Sequence, residues 1–312
     1  MSEKALVLAG GGSRGAFQAP VIDKLIEEGI EFDHVFGVSV GSINGAVASL
    51  KKSNLTNLWK EVKRHNVFGG PASKYGFPGK AFQMMKILVG KENSLYRNKA
   101  LKSLLKKHYD PSKTKVPFTF GSTSLKDGEF HTFSITPPDL EYSKSLNKHY
   151  SKDKVLDYLI SSSSIPVLLP PLFGEYVDGG LKNMAPIQAA IERGVDEVII
   201  VPTEQIYHKG DDYESIYSPN IFGIGRVSLN IILDETLQND YKITKKINKL
   251  IKQAEKQGVK LTKEDGTPYK KVKMHVIQPD EYLGNAVDFG EQTIQERIDL
   301  GRKKIEDFLK NY

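Results

Sequence analysis

The sequence predicts an α/β fold built on a mostly parallel sheet, and three observations carry that expectation. "ALVLA" (residues 5–9) and "HVFGVS" (residues 34–39) are apolar runs of strand length. Each is followed closely by a segment of helical pattern, so the chain opens as a β-α-β-α unit with short turns, which implies parallel strands. A third buried run, "DEVIIVP" (residues 196–202), again comes after a helical segment.

Each element has its own warrant. Phe17, Val21, Leu25 and Ile26 fall at helical spacing after the first strand, and Gly29 ends that helix. "GSINGAVASL" is a helix of small residues suited to close packing on a sheet. From about 52 to 112 the rhythm breaks into an insertion of short helices and loops. It reads either as core helix plus linker or as a cap over an apolar pocket. Its cluster Met84, Met85, Ile87, Leu88 and Val89, flanked by Lys80, Lys86 and Lys91, is expected to line or cover that pocket and to touch membranes. "VPFTFGSTS" and "GEFHTFSIT" flank "LKDG" as a hairpin. "KVLDYLISSSSIP" is a helix that stops before Pro166, and "PLFGEYVDGG" brings a strand up to a turn. "MAPIQAAIERG" is a helix. A long Lys-rich amphipathic helix, in one piece or two, covers about 224 to 257. "KVKMHVIQP" is a late strand, and a final helix runs from about 290 to 311. The whole is expected to be one domain, residues 1–312.

Composition narrows the function. Net charge is +6, but only seven of the 44 basic residues are arginine. Base readout and bidentate phosphate clamps favour arginine, so nucleic acid is not an expected partner. A lysine excess reads first as a solvated surface, and second as weak attraction to anionic membranes. The absence of cysteine excludes disulfides, thiolate zinc sites and a thiol nucleophile, and suits a reducing cytoplasm. No secretory signal peptide and no membrane-spanning helix are expected, so any membrane contact is peripheral.

Two glycine-rich turns carry the chemistry. In "LAGGGSRGAF", Gly10, Gly12 and Gly15 spell G-x-G-x-x-G. A dinucleotide site would need an acidic residue at the end of the second strand. That place holds Ser39, and Asp33 precedes the strand. No Gly-Lys-Ser/Thr follows the loop, which excludes a Walker phosphate loop. "GVSVG" (Gly37 to Gly41) is G-x-S-x-G, a sharp strand-to-helix turn that exposes a hydroxyl. In a parallel sheet the loops after the first two strands emerge at one edge, so the amides of the first turn can face Ser39 and receive the charge of a reacting ester. A serine needs a base. Of seven histidines, His34 precedes its strand, and His108, His131 and His149 read as surface. His208 and His275 follow Asp178 in chain order but carry no motif. "VDGG" (Val177 to Gly180) places a carboxylate at a strand end, either as a plain D-G turn or as a base acting directly on serine.

Together, "GGGSRG", "GVSVG" and "DGG", in this order and spacing, resemble the patatin-like phospholipase family over about residues 4–202. "SSSSIPVLLPPL" and "NMAPIQAAIERG" are similar to the segments around its acid strand. The resemblance implies a three-layer α/β/α fold and hydrolysis of lipid acyl esters, with phospholipid or lysophospholipid as substrate and no cofactor or metal. It implies Ser39 as nucleophile and Asp178 as general base in a Ser-Asp dyad without histidine. Gly10, Gly11, Gly12, Ser13, Arg14 and Gly15 become the oxyanion loop, with main-chain donors at Gly11, Gly12 and Arg14. Gly37 and Gly41 shape the elbow, and Gly179 and Gly180 the acid turn. One departure is Pro20, where family members usually carry glycine, which questions the straightness of the first helix. A catalytically silent lipid-binding module and an acyltransferase are the alternatives. Oligomeric state is not addressed by any of these features.

Overall fold

The computed structural model describes residues 3–136, 154–206, 217–219, 221–262 and 266–312. Of the histidines weighed above, His149 and His208 lie outside the described residues. Strands β1 (Lys4–Leu8), β2 (His34–Val38), β3 (Phe118–Ser124), β4 (Phe130–Ile135), β5 (Tyr176–Asp178), β6 (Glu197–Val201) and β7 (Lys273–Val276) form one sheet. The order is β4-β3-β2-β1-β6-β7, with β5 also paired to β3. β3, β2, β1, β6 and β7 run parallel to their neighbours in that series. β4 and β5 are antiparallel to β3.

Both faces of this sheet are covered, because alternate side chains of one strand point to opposite faces. Leu6, Leu8, Val35, Ile199 and Val201 enter one apolar cluster with α1 (Gln18–Glu27), α2 (Val40–Ala48), α3 (Leu55–Glu61) and other helices. Ala5, Val7, Phe36, Val198 and Ile200 enter a second cluster with Ile187 and Ala190. The result is three layers, α/β/α, and it explains why the inner strands read as continuous apolar runs rather than alternating ones.

The insertion comprises α3, α4 (Arg64–Val67), α5 (Pro71–Lys74), α6 (Gly76–Leu88) and α7 (Lys99–His108). Then follow α8 (Val155–Ser161), α9 (Ile187–Glu192), α10 (Ile221–Lys256) and α11 (Glu291–Leu309). The long lysine-rich helix, α10, is a single helix of 36 residues, not two. Pro20 does not kink α1. A 3-10 segment, Gly12–Phe17, precedes the helix, so Pro20 falls in the first α-helical turn, where a missing N–H costs little.

Candidate active site

Ser39 sits where β2 hands over to α2, with φ 53° and ψ −128°. A non-glycine residue in that region carries strain of order 1–3 kcal/mol and persists only where its surroundings hold it. Here they do. The Ser39 N–H donates to Ser162 Oγ (3.0 Å), and its carbonyl accepts from Ser42 N (3.0 Å) and Ser42 Oγ (2.6 Å). The flanking glycines are needed for close approach: a Cβ at Gly37 would meet the Gly41 carbonyl, and one at Gly41 would meet the Leu8 carbonyl. The turn is therefore wedged against the ends of both β1 and β2.

Asp178 reaches Ser39 through β3. β2 pairs with β3 as far as Val38 opposite Gly121. β5 then takes over the same edge, with Asp178 opposite Ser122. β2 and β5 are thus set end to end along one template strand. Ser39 Oγ donates to Asp178 Oδ2 at 2.7 Å, and Gly180 N donates to Asp178 Oδ1 at 2.8 Å. Both side chains are buried. Burial pushes the Asp178 carboxyl up to about 7, against the hydrogen bonds from Ser39 and Gly180, which favour its ionised form. Asp178 N and Gly179 N donate to the carbonyls of Ser164 and Ser162. The serine-rich segment, read from sequence as a helix end and as similar to the segment before the acid strand, therefore holds both the elbow and the acid turn.

The first glycine turn lies beside this pair: a Cβ on Gly10 would come 3.0 Å from Ser39 Cβ. Its amides are not equivalent. Gly10 N donates to Met184 O (3.0 Å), Ser13 N to Ala286 O (2.7 Å) and Arg14 N to Gly11 O (3.2 Å). Gly15 lies inside the 3-10 segment, close against Val40. Among the described residues, the amides of Gly11 and Gly12 have no such partner. Of the six residues expected to form an oxyanion loop, only Gly11 and Gly12 therefore keep unpaired amides among the described residues, and Gly10, Ser13, Arg14 and Gly15 frame them. The expectation for the Arg14 amide is corrected, since the 3-10 turn itself consumes that N–H. The turn's shape depends on Gly11 (φ 144°) and Gly12 (φ 58°), conformations disfavoured for a side-chain-bearing residue.

A buried polar framework holds the loop from below. Gln18 Nε2 donates to the carbonyls of Ala9 (2.9 Å) and Val201 (2.7 Å). Asn44 Nδ2 donates to Gln18 Oε1 and Gly15 O, and Trp59 Nε1 donates to Asn44 Oδ1. Thr203 Oγ1 donates to Gly10 O. Arg14 directs its guanidinium at buried Glu204 (2.8 Å) and away from any oxyanion role. Arg297, on α11, donates to Ser13 Oγ (2.8 Å) and to the carbonyls of Leu283, Asn285 and Asp288. Burial, followed by the charge of Arg14, lowers it to about 10, so it stays protonated at neutral pH. Sequence reading missed Glu204 and Arg297. Arg297 had left one signal: it shares the helical stripe of Ile294, Ile298 and Ile305, where an arginine is out of place.

Ser39 and Gly12 open onto an apolar cavity of about 910 Å³, counting its mouth. Its walls are Val40, Ile43 and Val47 of α2, Leu55, Leu58 and Trp59 of α3, Leu101, Leu104 and Leu105 of α7, with Ile165 and Leu169. Val287 and Phe289, from the C-terminal third, complete it. The insertion does cap the cavity, through α3, α4 and α7. Met84, Met85, Ile87, Leu88 and Val89 do not line it, which corrects the expectation that this cluster forms the pocket wall: α6 buries Gly79 and Gln83 instead.

No described histidine is hydrogen-bonded to Ser39 or Asp178. His34 is at the far end of β2, roughly 16 Å of strand away from Ser39. It bonds Thr119 Oγ1, and burial holds it down at about 3. His275 lies on β7 beside Glu197 (3.2 Å), and His131 beside Asp127 (3.0 Å). His65 is exposed. His108, read as surface, in fact lines the cavity. No cluster able to hold a metal ion occurs among the described residues.

The chain is 25% identical over 201 residues to neuropathy target esterase sws of Drosophila melanogaster, covering 63% of this chain and 12% of that one. It is 24% identical over 204 residues to lysophospholipase nte1 of Aspergillus terreus, covering 64% and 12%. The chain thus spans about an eighth of the length of these curated relatives. Among solved structures it is similar to VipD from Legionella pneumophila, with TM-score 0.46 and 11% identity over 99% of this chain and 67% of that one. The sequence profile of the patatin-like phospholipases matches residues 6–191, more than half of the chain, and on that ground the chain belongs to the patatin-like phospholipase family.

Proposed function

We propose that this protein is a serine lipid acyl hydrolase of phospholipase A or lysophospholipase type, working through a Ser39–Asp178 dyad. The observation that carries the reading is the buried 2.7 Å bond from Ser39 Oγ to Asp178 Oδ2 at the end of an apolar cavity. Relatives named esterase and lysophospholipase favour a lipid ester as substrate. The cavity takes the acyl chain, with the ester carbonyl at Ser39. As Ser39 Oγ attacks, Asp178 accepts its proton. The tetrahedral oxyanion is received by the amides of Gly11 and Gly12. On collapse, Asp178 returns the proton to the leaving alcohol, and Ser39 carries the acyl group. Water then attacks the acyl ester, with Asp178 again taking the proton and Ser39 Oγ receiving it on release of the fatty acid. No step requires a metal or cofactor. No helix among the described residues is long and apolar enough to cross a membrane. In this reading the enzyme is cytoplasmic and meets its lipid peripherally.

The test is incubation with a mixed lipid extract, followed by mass spectrometry of fatty acids and remaining lysolipids, alongside labelling with a fluorophosphonate. Wild type is expected to release free fatty acid and to carry the label on Ser39; Ser39→Ala loses both. Label on another residue sinks the dyad. Acyl groups appearing on an added acceptor in place of free fatty acid favour transfer, and labelled Ser39 with no turnover favours a silent lipid-binding module.

A further inference from the structure

Helix α6 is built the wrong way round for a water-facing helix. At 3.6 residues per turn, Phe77, Ala81, Met85 and Leu88 share one side, and that side faces out. Phe77 is 82% exposed, Leu88 79% and Met85 58%. The side turned inward carries Gly79 and Gln83, and Gln83 Nε2 donates to the Ser94 carbonyl (2.9 Å). An ordinary surface helix does the reverse, with its apolar stripe against the core. Tyr75, Phe82 and Val89 extend the outward apolar surface beyond the helix stripe.

The charge around this face is mostly positive. Residues 62–91 contain no aspartate or glutamate. Lys80 and Lys86 flank the apolar stripe on its two sides, and Lys74 and Lys91 stand near its ends. Glu92 is the nearest acid in sequence, 3.8 Å from Lys86 and shared with Arg97 at 3.0 Å. Lys86 lies over the Phe82 ring and Lys74 over the Tyr75 ring, so cation and apolar surface are presented together. Apolar side chains outward, rimmed by lysine, match a surface with an oily interior and an anionic boundary.

The face is tied to the cavity through backbone. Gln83 bonds Ser94, and the amides of Leu95 and Tyr96 donate to the carbonyls of Val167 and Leu168. Ile165 and Leu169, on either side of that pair, line the cavity. Val167 itself holds φ 69°, an unusual conformation for a β-branched residue, and is 60% exposed on the segment bonded to Leu95.

We propose that α6, together with Val167, is the surface by which this protein docks on an anionic phospholipid bilayer. The choice of a lipid surface rests on reading the chain as a lipid acyl hydrolase; the exposed face and its charge do not. Docking through α6 sets the cap of the cavity against the interface from which an acyl chain must enter.

Binding is separable from hydrolysis. Full-length Ser39→Ala is sedimented with vesicles of phosphatidylglycerol and phosphatidylcholine, and with phosphatidylcholine alone, at low and high salt. It is expected to partition onto the anionic vesicles and to leave them as salt rises. Adding Phe77→Gln and Leu88→Gln should lower that partition about tenfold or more. Adding Lys80→Gln, Lys86→Gln and Lys91→Gln should remove most of its salt dependence. Ile243→Gln with Leu250→Gln, exposed apolar residues of α10, should bind like the parent. With Ser39 intact, the Phe77/Leu88 variant should keep its rate on a short soluble ester and lose rate on vesicle lipid. The proposal is overturned if the parent ignores anionic vesicles, or if the Phe77/Leu88 variant binds them as well as the parent. It is equally overturned if that variant loses the soluble ester rate too, which would make α6 a plain support of the cap. Self-association that depends on α6 without vesicle binding would assign the face to a second copy, and binding of polyglutamate in place of vesicles would assign it to an acidic protein. Should Ser39 prove inert on every ester while the vesicle results hold, the hydrolase reading fails and the docking surface stands.

Discussion

At the scale of single residues, the proposed dyad places the pH behaviour on Asp178. Its carboxyl is buried and held near 7, yet as a base it must be ionised. Hydrolysis is therefore expected to rise with pH through about 7 and to level above it, read as kcat/KM on a soluble ester. Asp178→Asn keeps the turn and removes the basicity, for an expected loss of order 10²–10⁴. His108→Ala and His275→Ala should not match it; a folded histidine variant with comparable loss would replace the dyad by a triad. The same residue links to stability. Between its unfolded value of 3.8 and its folded value of about 7, the folded chain keeps a proton that the unfolded chain has released. Stability then falls as pH rises through that window and no further above it. At about 1.4 kcal/mol per unit the term is roughly 4 kcal/mol. Asp178→Asn should accordingly be the more stable protein at pH 8, with the advantage gone near pH 4, measured by denaturant unfolding. Equal stability at both would mean that burial does not oppose this charge.

At the scale of elements, β3 and the serine segment hold the site together. Ser162 Oγ accepts from Ser39 N and donates to Gly121 O (2.6 Å), so one hydroxyl joins the strained elbow to the template strand. Ser161 Oγ instead bonds Ser122 Oγ and Tyr158 O, away from the elbow amide. Ser162→Ala should destabilise by about 1–3 kcal/mol through two unpaired buried groups. It should also slow fluorophosphonate labelling of Ser39 about tenfold, whereas Ser161→Ala should cost stability alone. Similar labelling rates in both variants would deny Ser162 a positioning role. This arrangement was only half legible in the sequence. Gly37, Gly41 and the first glycine turn announce themselves because backbone in close approach tolerates no Cβ. β5 is legible as a strand running into the "VDGG" turn, but its partner is not, since its pairing is with Ser122 to Ser124, more than fifty residues away. α6 misled for a physical reason: helical periodicity marks an apolar stripe but not the direction it faces, and here the stripe faces out.

At the scale of the whole molecule, the C-terminal third completes a site whose motifs all lie before residue 181. Resemblance was clearest over residues 4–202, yet Ala286 accepts from Ser13 N and Ser13 Oγ, and Val287 and Phe289 wall the cavity. What fixes that segment is Arg297. Its guanidinium donates to three carbonyls and to Ser13 Oγ while almost wholly buried. Arg297→Met conserves bulk but strands four acceptors, and breaking buried charged networks costs about 3–5 kcal/mol. At about 2–4 °C per kcal/mol for a chain of this size, Tm should drop by roughly 6–20 °C. The more telling readout lies well below that Tm. Gly12, proposed above as an oxyanion donor, is adjacent to Ser13, and a displacement of about 1 Å there can cost up to 10² in rate. Arg297→Met is therefore expected to lower kcat tenfold or more on a short ester that does not fill the cavity, while KM changes little. Arg297→Lys retains the charge but reaches fewer of the four acceptors, so it should fall between the two in both Tm and kcat. A variant that melts early yet turns over at the wild-type rate when folded would make Arg297 a support of stability alone, with the oxyanion loop held in place by Thr203, Gln18 and Asn44.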